Sequence, residues 1–142
     1  MKEILLSAVG VKKEFPGRHE KEQVLKGIDV DIYEGDFTVI MGSSGAGKST
    51  LLYALSGMDS ITGGKVMYRG EEINRYREKQ MAGLRSREFG FVFQQTHLVS
   101  NLSLFENVAV AGWLDAGKDA KAVRKKAQEL LDKMNVAEDM DR

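Results

Sequence analysis

The sequence predicts an α/β fold with an antiparallel β portion at its N-terminal end. Three observations predict it. Two N-terminal segments, 4–11 and 24–32, carry apolar residues in β-strand patterns, and an apolar run at 37–41 leads through a glycine-rich loop into a helical pattern. Segment 120–136 has the charged face of an amphipathic helix opposite an apolar stripe, which consists of Val123, Ala127, Leu130, Leu131 and Met134.

The N-terminal part is predicted to contain two strands joined by a loop. The first strand covers 4–11, and 12–22 is a charged loop that holds Phe15 and the only proline. In 24–32 one parity holds Val24, Ile28, Val30 and Ile32 and the other holds Asp29 and Asp31, which is typical of a half-buried strand. We expect this second strand to run antiparallel to the first, with a turn at 34–36 after it.

The rest of the chain is predicted to alternate between strands and helices. The apolar run 37–41 predicts a strand that is covered on both faces, as in a parallel sheet, and 89–93 predicts another apolar strand. Periodicity and glycine positions predict the remaining elements, which are a helix from the glycine-rich loop to Gly57, a short strand at 65–69, helical structure in the second half of 71–86 and the helix at 120–136.

Composition sets limits on the class of protein. The 142 residues fit one domain, and 42% hydrophobic with 30% charged residues makes disorder unlikely. Lys plus Arg and Asp plus Glu both number 21, and this neutral total argues against a nucleic-acid-binding chain. The absence of cysteine excludes disulfides, thiolate metal sites and cysteine nucleophiles. With no signal-peptide pattern and no membrane-spanning apolar run, we expect a soluble, cytoplasmic, globular chain.

One motif carries the chemistry. The sequence matches the phosphate-loop pattern G-x-x-x-x-G-K-S/T in Gly42, Ser43, Ser44, Gly45, Ala46, Gly47, Lys48 and Ser49. Its glycines allow successive N–H groups to point at β- and γ-phosphate oxygens, and the following helix adds the positive end of its dipole. Lys48 supplies a full charge, and Ser49 offers a hydroxyl to Mg²⁺. The loop alone fits kinases, GTPases, helicases and transport ATPases.

Further segments narrow the choice. They are VLKGI at 24–28, YEGD at 33–36, GSSGAGKSTLL at 42–52 and FGFVFQQTHL at 89–98. Together they resemble the nucleotide-binding subunits of ABC transporters, which implies a P-loop NTPase fold of ABC type. Phe15-Pro16, the FVFQ-x-x-H-L run and NLSLFEN at 101–107 are similar to the subfamily for lipoprotein release, macrolide and antimicrobial-peptide export and the related cell-division complex.

The resemblance implies ATP and Mg²⁺ as ligands. Phe15 stands where the family stacks an aromatic ring on adenine, more often a Tyr, although a loop aromatic packed on the core is the alternative. Gln94 matches the glutamine that contacts Mg²⁺ and the attacking water, with Gln95 and a plain strand end as alternatives. Lys48 and Gln94 are thus the implied catalytic residues, and Ser49 and Gln94 the implied metal ligands. The implied nucleotide contacts are Phe15, Val24, Gly42, Ser43, Ser44, Gly45, Ala46, Gly47, Lys48, Ser49 and Thr50.

Other residues allow two interpretations. His19 and His97 have no motif carboxylate or cysteine beside them, which favours structural or solvated side chains over catalysis. One interpretation places four apolar residues in the groove where membrane subunits of the family dock, and the other places them in the core; they are Leu98, Leu102, Leu104 and Phe105. The basic stretch 75–87 is interpreted as a solvated helix face rather than a nucleic-acid contact.

The family pattern also includes residues that this sequence lacks, namely the ABC signature, the Walker B Asp with the catalytic Glu, and the switch His. We therefore expect 1–142 to be the N-terminal part of one ABC ATP-binding domain, without the C-terminal part of its core sheet. Without the general base, such a chain should bind nucleotide far better than it hydrolyses it. A non-hydrolysing ATP-binding module that is complete at this length is the alternative.

For the complete protein, the resemblance implies ATP hydrolysis that powers export or lipoprotein release. The implied partners are a membrane-spanning permease subunit and a second copy of the ATP-binding subunit, with no nucleic acid. The implied location is peripheral, on the inner face of the cell membrane. A GTPase is disfavoured because the sequence has no N-K-x-D guanine motif.

Overall fold

The computed structural model describes residues 2–114, 117–139 and 141–142. Contacts within the chain divide it into two compact units, Met1–Phe91 and Val92–Arg142. The first unit contains a β sheet with helices, and the second contains helices. That 1–142 is part of a single ABC domain stays a prediction.

The sheet of the first unit has four strands: β1 (Ile4–Phe15), β2 (Glu22–Tyr33), β3 (Gly63–Tyr68) and β4 (Glu71–Glu72). Their order is β2-β1-β3-β4, and each neighbouring pair is antiparallel. The predicted antiparallel β portion is therefore confirmed. The predicted charged loop at 12–22 is too long, because residues 12–15 continue β1 and pair with 22–26 of β2.

A bulge changes which side chains of β1 are buried. Ala8 and Val11 are both buried although they lie three residues apart, and the register shifts between them. Gly10 has φ +57° at this point, and its N–H donates a hydrogen bond of 2.7 Å to Asp29 Oδ1. Beyond the bulge, Val11 and Lys13 point into the protein.

Two helices pack on this sheet. Helix α1 (Lys48–Leu55) buries Leu51, Ala54 and Leu55, which join the core formed by Leu6, Val11, Leu25 and Val66 of the sheet. It ends as predicted, because the Gly57 N–H donates to Ala54 O at 3.3 Å. Helix α2 (Glu78–Glu88) contributes Met81 and Leu84 to the same core, and Arg85 Nη1 donates to Gly57 O at 2.7 Å.

Two predicted strands are wrong. Residues 37–41 and 89–93 adopt no strand structure, and the four-stranded sheet includes neither segment. Phe37 is 94% exposed and Met41 85% exposed, whereas the apolar pattern predicts burial on both faces. A strand is defined by hydrogen bonds to its neighbours, so an apolar run without a paired strand remains an extended segment.

The second unit contains α3 (Leu104–Trp113) and α4 (Ala120–Lys133). The predicted amphipathic helix is thus confirmed, and Val123, Ala127 and Leu131 form its buried stripe. The stripe is narrower than predicted, because Leu130 and Met134 are 41% and 74% exposed. Over the described ranges, no helix has both the length and the apolar character needed to cross a bilayer.

Candidate nucleotide-binding site

The glycine-rich loop has the backbone shape that an anion site requires. Gly45 and Gly47 lie in the left-handed region, with φ +78° and +94°. Between them, the Ala46 N–H donates to Ser43 O at 3.1 Å and closes a turn. Gly47 caps α1 and accepts the first helical bond from Leu51 N at 2.9 Å. The first N–H groups of a helix have no intrahelical acceptor, so they are available to an anion at this end.

Strand β2 fixes the position of the loop. A Cβ atom at Gly47 would lie 2.9 Å from Val24 Cγ1 and 3.3 Å from Leu25 Cδ2, so only glycine fits there without movement. Leu25 is 2% exposed and belongs to the core, which makes it a rigid support. The structure therefore brings Val24 and the phosphate loop together, as the sequence interpretation required.

Lys48 closes over the loop. Its Nζ donates hydrogen bonds to Gly42 O at 2.7 Å and to Ser43 O at 2.8 Å. The first turn of α1 contains no acidic residue that would neutralise the ammonium group. Ser49 and Thr50 lie in the same turn, and the Ser49 side chain is exposed. Backbone N–H groups, one cation and a hydroxyl are the donor set that fits the phosphates and Mg²⁺ of a nucleotide.

A cavity of about 360 Å³ lies between β2 and the loop. Its volume is in the range typical of small-molecule sites. It brings together three of the predicted nucleotide contacts, Val24, Gly45 and Ala46. The other lining residues come from β2 and are Glu22, Gln23, Lys26 and Ile28.

The proposed adenine-stacking residue lies at the end of β1. Phe15 pairs with Glu22, a lining residue of the cavity, and it is 36% exposed. Lys13 Nζ lies 5.1 Å from the centre of its ring, which is a cation–π contact. The ring is thus partly accessible and already held by a neighbouring side chain.

Lys13 is the residue near this site that the sequence interpretation missed. It is 6% exposed, although 12–22 was predicted to be a charged loop. The signal was the alternation of Val11, Lys13 and Phe15, which places Lys13 on the buried side once the strand is extended. A lysine at a buried strand position is uncommon enough that the charge obscured the pattern.

Gln94 and His97 belong to the second unit. Gln94 is exposed at a bend, and its role as an Mg²⁺ ligand stays a prediction. The His97 ring makes an edge contact with Phe93 at 4.8 Å between ring centres. His19 is exposed in the loop after β1.

The segment before α3 is tightly organised. Ser103 Oγ accepts from Glu106 N at 3.2 Å, and Glu106 Oε2 accepts from Ser103 N at 2.8 Å, which forms a capping box. The Asn107 amide donates to the carbonyls of Val99, Leu102 and Ser103 and accepts from Val99 N.

The apolar residues of the docking prediction differ in exposure. Leu98 is 63% exposed, and the other three are half-buried, namely Leu102, Leu104 and Phe105.

In the first unit, the ionisable groups whose pKa values are shifted lie on β3, on the turn after it and near α2. The carboxylate of Glu88 accepts a 2.6 Å hydrogen bond from Tyr68 and raises the pKa of this phenol. A hydrogen bond to Glu71 likewise raises the pKa of Tyr76. Contacts with Tyr68 and then Glu34 raise the pKa of Arg69 above its ordinary value. None of these three residues belongs to the phosphate loop or lines the cavity beside it.

Comparison with known proteins agrees with the geometry of the loop. A family model described as ABC transporter matches residues 25–142. The chain is 38% identical over 138 residues to the lipoprotein-releasing system ATP-binding protein LolD of Aquifex aeolicus, covering 97% of this chain and 59% of that protein. It is 40% identical over 138 residues to the macrolide export ATP-binding/permease protein MacB of Wolinella succinogenes, covering 97% of this chain and 21% of that protein.

A solved structure shows the same fold. It is the dimeric, post-hydrolysis state of the ATP-binding cassette MJ0796 bound to ADP and Pi. The TM-score is 0.88 at 30% sequence identity, and the match covers 96% of this chain and 60% of that one. The chain therefore spans less than two thirds of the length of each of these proteins.

Proposed function

This chain belongs to the ABC transporter family, and we propose that its phosphate loop binds Mg-ATP. The observation that carries the proposal is the loop itself. Gly45 and Gly47 adopt left-handed angles at the start of α1, and the Lys48 ammonium lies across the carbonyls of Gly42 and Ser43. Phosphate oxygens are stronger acceptors than these carbonyls, so a bound triphosphate would attract the ammonium group and the N–H groups of the loop together.

The proposal assigns a role to each part of the site. Gly42–Thr50 holds the phosphates, and Ser49 provides an oxygen ligand for Mg²⁺. Phe15 stacks on adenine, and Val24 contacts the nucleotide from β2. The metal would neutralise charge on the phosphates, and the side chains of this chain bind and orient them.

Calorimetric titration with Mg-ATP tests the binding. Lys48→Ala should weaken binding by roughly tenfold to a hundredfold, because a hydrogen-bonded charge on the phosphates is lost. Lys79→Ala, which removes an exposed lysine of α2, is the matched control and should bind as wild type does. Equal affinities of the wild-type and Lys48→Ala chains would refute the proposal.

The metal arm of the same titration uses Ser49→Ala. Excess EDTA should lower the affinity of the wild-type chain for ATP, since the triphosphate charge is then less neutralised. For the Ser49→Ala chain, the difference between the ATP affinity measured with Mg²⁺ and that measured with EDTA should be smaller. An unchanged metal dependence would remove Ser49 from the proposed metal ligands.

For the whole protein we propose ATP hydrolysis that powers export or lipoprotein release. The names of the LolD and MacB relatives support this role. The dimeric cassette bound to ADP and Pi supports pairing with a second copy. A permease subunit would dock on the segment around Leu98, and the protein would then lie on the inner face of the cell membrane.

Two measurements separate this proposal from a purely ATP-binding module. Phosphate release at saturating Mg-ATP, compared with the Lys48→Ala chain, reports hydrolysis. Sedimentation velocity with and without Mg-ATP reports pairing of two copies. Turnover that requires Lys48 would exclude the non-hydrolysing alternative. ATP binding without turnover is expected of both, because the family's catalytic Glu is not in this sequence.

A further inference from the structure

Lys13 is a buried cation that the proposed phosphate contacts do not use. It is 6% exposed, and its ammonium group requires compensation at this depth. Lys13 Nζ lies 3.0 Å from Asp59 Oδ1, 2.5 Å from Ser60 O and 3.4 Å from Ser60 Oγ. Each partner is an oxygen acceptor, so the charge is well satisfied in one fixed position.

These partners follow directly after α1. The Asp59 N–H donates to Tyr53 O of α1 at 3.2 Å, and Asp59 Oδ1 also accepts from Ser60 N at 2.8 Å. Helix α1 begins at Lys48 in the phosphate loop and ends at Leu55, just before this anchor. Lys13 thereby joins the end of β1 to the far end of the phosphate-loop helix.

The same ammonium lies 5.1 Å from the ring centre of Phe15. A cation held near an aromatic face favours one ring orientation over the others. A ring that is ordered before the ligand arrives loses less conformational entropy on binding. The backbone around it is also fixed, because Glu14 N donates to Thr62 Oγ1 at 3.1 Å and Thr62 N donates to Lys12 O at 2.8 Å.

We propose that Lys13 is a positioning residue, which holds the Phe15 ring for the nucleobase and ties it to Asp59 and Ser60 after α1. The inference rests on the proposed function, since it assumes that Phe15 stacks on adenine. Lys13 acts on the base and not on the phosphates. It should therefore affect ATP and a ligand without a base differently.

The test compares Mg-ATP with magnesium tripolyphosphate, titrated by calorimetry into the full 142-residue chain. Lys13→Met keeps the length of the side chain and removes its charge. We expect it to weaken ATP binding by about three- to tenfold and to leave tripolyphosphate binding unchanged. Lys12→Met, at the exposed neighbouring position of β1, is the matched control and should change neither.

A double-mutant cycle with Phe15→Ala separates positioning from a structural role. If Lys13 acts through the ring, Lys13→Met should have no further effect on ATP binding in the Phe15→Ala background. If the Lys13→Met chain fails to fold, Asp59→Asn replaces it. That variant weakens the ion pair with Lys13, while the hydrogen bond from Lys13 to Ser60 O remains. We therefore expect a smaller loss of ATP affinity and no change in tripolyphosphate binding.

The outcomes distinguish this inference from the proposed function. The role of Lys13 would be overturned if Lys13→Met left the ATP affinity unchanged or weakened ATP and tripolyphosphate binding equally. It would also be overturned if Lys13→Met weakened ATP binding just as much in the Phe15→Ala background. ATP binding that still depends on Lys48 in those cases would leave the proposed function intact. No ATP binding by the wild-type chain would overturn both.

Discussion

The substitution Gly47→Ala tests whether contact with β2 shapes the phosphate loop. Gly47 has φ +94°, and an L-residue in this region is destabilised by roughly 1–2 kcal/mol. The new Cβ would lie 2.9 Å from Val24 Cγ1, well inside van der Waals contact, and such overpacking adds about 1–3 kcal/mol. The stiffer unfolded chain of Ala offsets roughly 0.4–1 kcal/mol. The free energy of unfolding should therefore fall by about 1–5 kcal/mol.

Two glycines serve as matched controls. Gly45 (φ +78°) and Gly70 (φ +83°) have similar backbone angles, but a Cβ at either meets nothing within 4 Å. Gly45→Ala and Gly70→Ala should each cost only about 1 kcal/mol, from backbone strain alone. Gly45→Ala should also weaken Mg-ATP binding at least about tenfold because it changes the loop. Gly70→Ala lies outside the loop and should bind ATP normally.

The chain offers separate probes for its two units. All four tyrosines lie in the first unit, and Trp113 is the only tryptophan and lies in the second. Near-UV circular dichroism of tyrosine during urea unfolding therefore reports the first unit, and tryptophan fluorescence reports the second. A Gly47→Ala chain no less stable than the Gly45→Ala chain would refute the packing of Gly47 against β2.

The remaining predictions concern helix capping and pH. Ser103→Ala should lower the stability of the second unit by about 1 kcal/mol, because the capping box of α3 is lost. Urea unfolding followed by Trp113 fluorescence measures this loss. The control Ser100→Ala, at an exposed position before the cap, should leave the stability unchanged. The pKa of Tyr68 is raised by its hydrogen bond to Glu88, so its stabilising contribution is present below the ordinary tyrosine pKa and is lost as the pH rises through the folded value. Tyrosinate absorbance should show one fewer late-titrating phenol in Tyr68→Phe, and an unchanged titration curve would contradict the assignment.

Much of the fold could be predicted from local patterns. The alternation of 24–32 predicts β2, and the amphipathic stripe of 120–136 predicts α4, because each pattern records which face of an element is buried. The phosphate loop is equally local, since its glycines, Lys48 and Ser49 are adjacent in sequence. Its outline could therefore be derived without knowledge of any distant contact.

Two strands were predicted wrongly for a physical reason. The apolar runs 37–41 and 89–93 have suitable β-strand composition, but strand structure depends on hydrogen bonds to a neighbouring strand that is often distant in sequence. The structure pairs neither run with the sheet. Composition indicates that a segment can form a strand, and pairing decides whether it does.

The sequence by itself determined the family, the phosphate loop with Lys48 and Ser49, and the antiparallel start of the chain. Tertiary structure alone revealed that Lys13 contacts both Phe15 and Asp59, and that Gly47 packs against Val24 and Leu25. Adjacent residues encode a loop because the backbone angles of neighbours are enough to shape it. Contacts between residues 46 positions apart, such as the ion pair of Lys13 with Asp59, depend on how the strand and the helix pack together, and no local pattern records that.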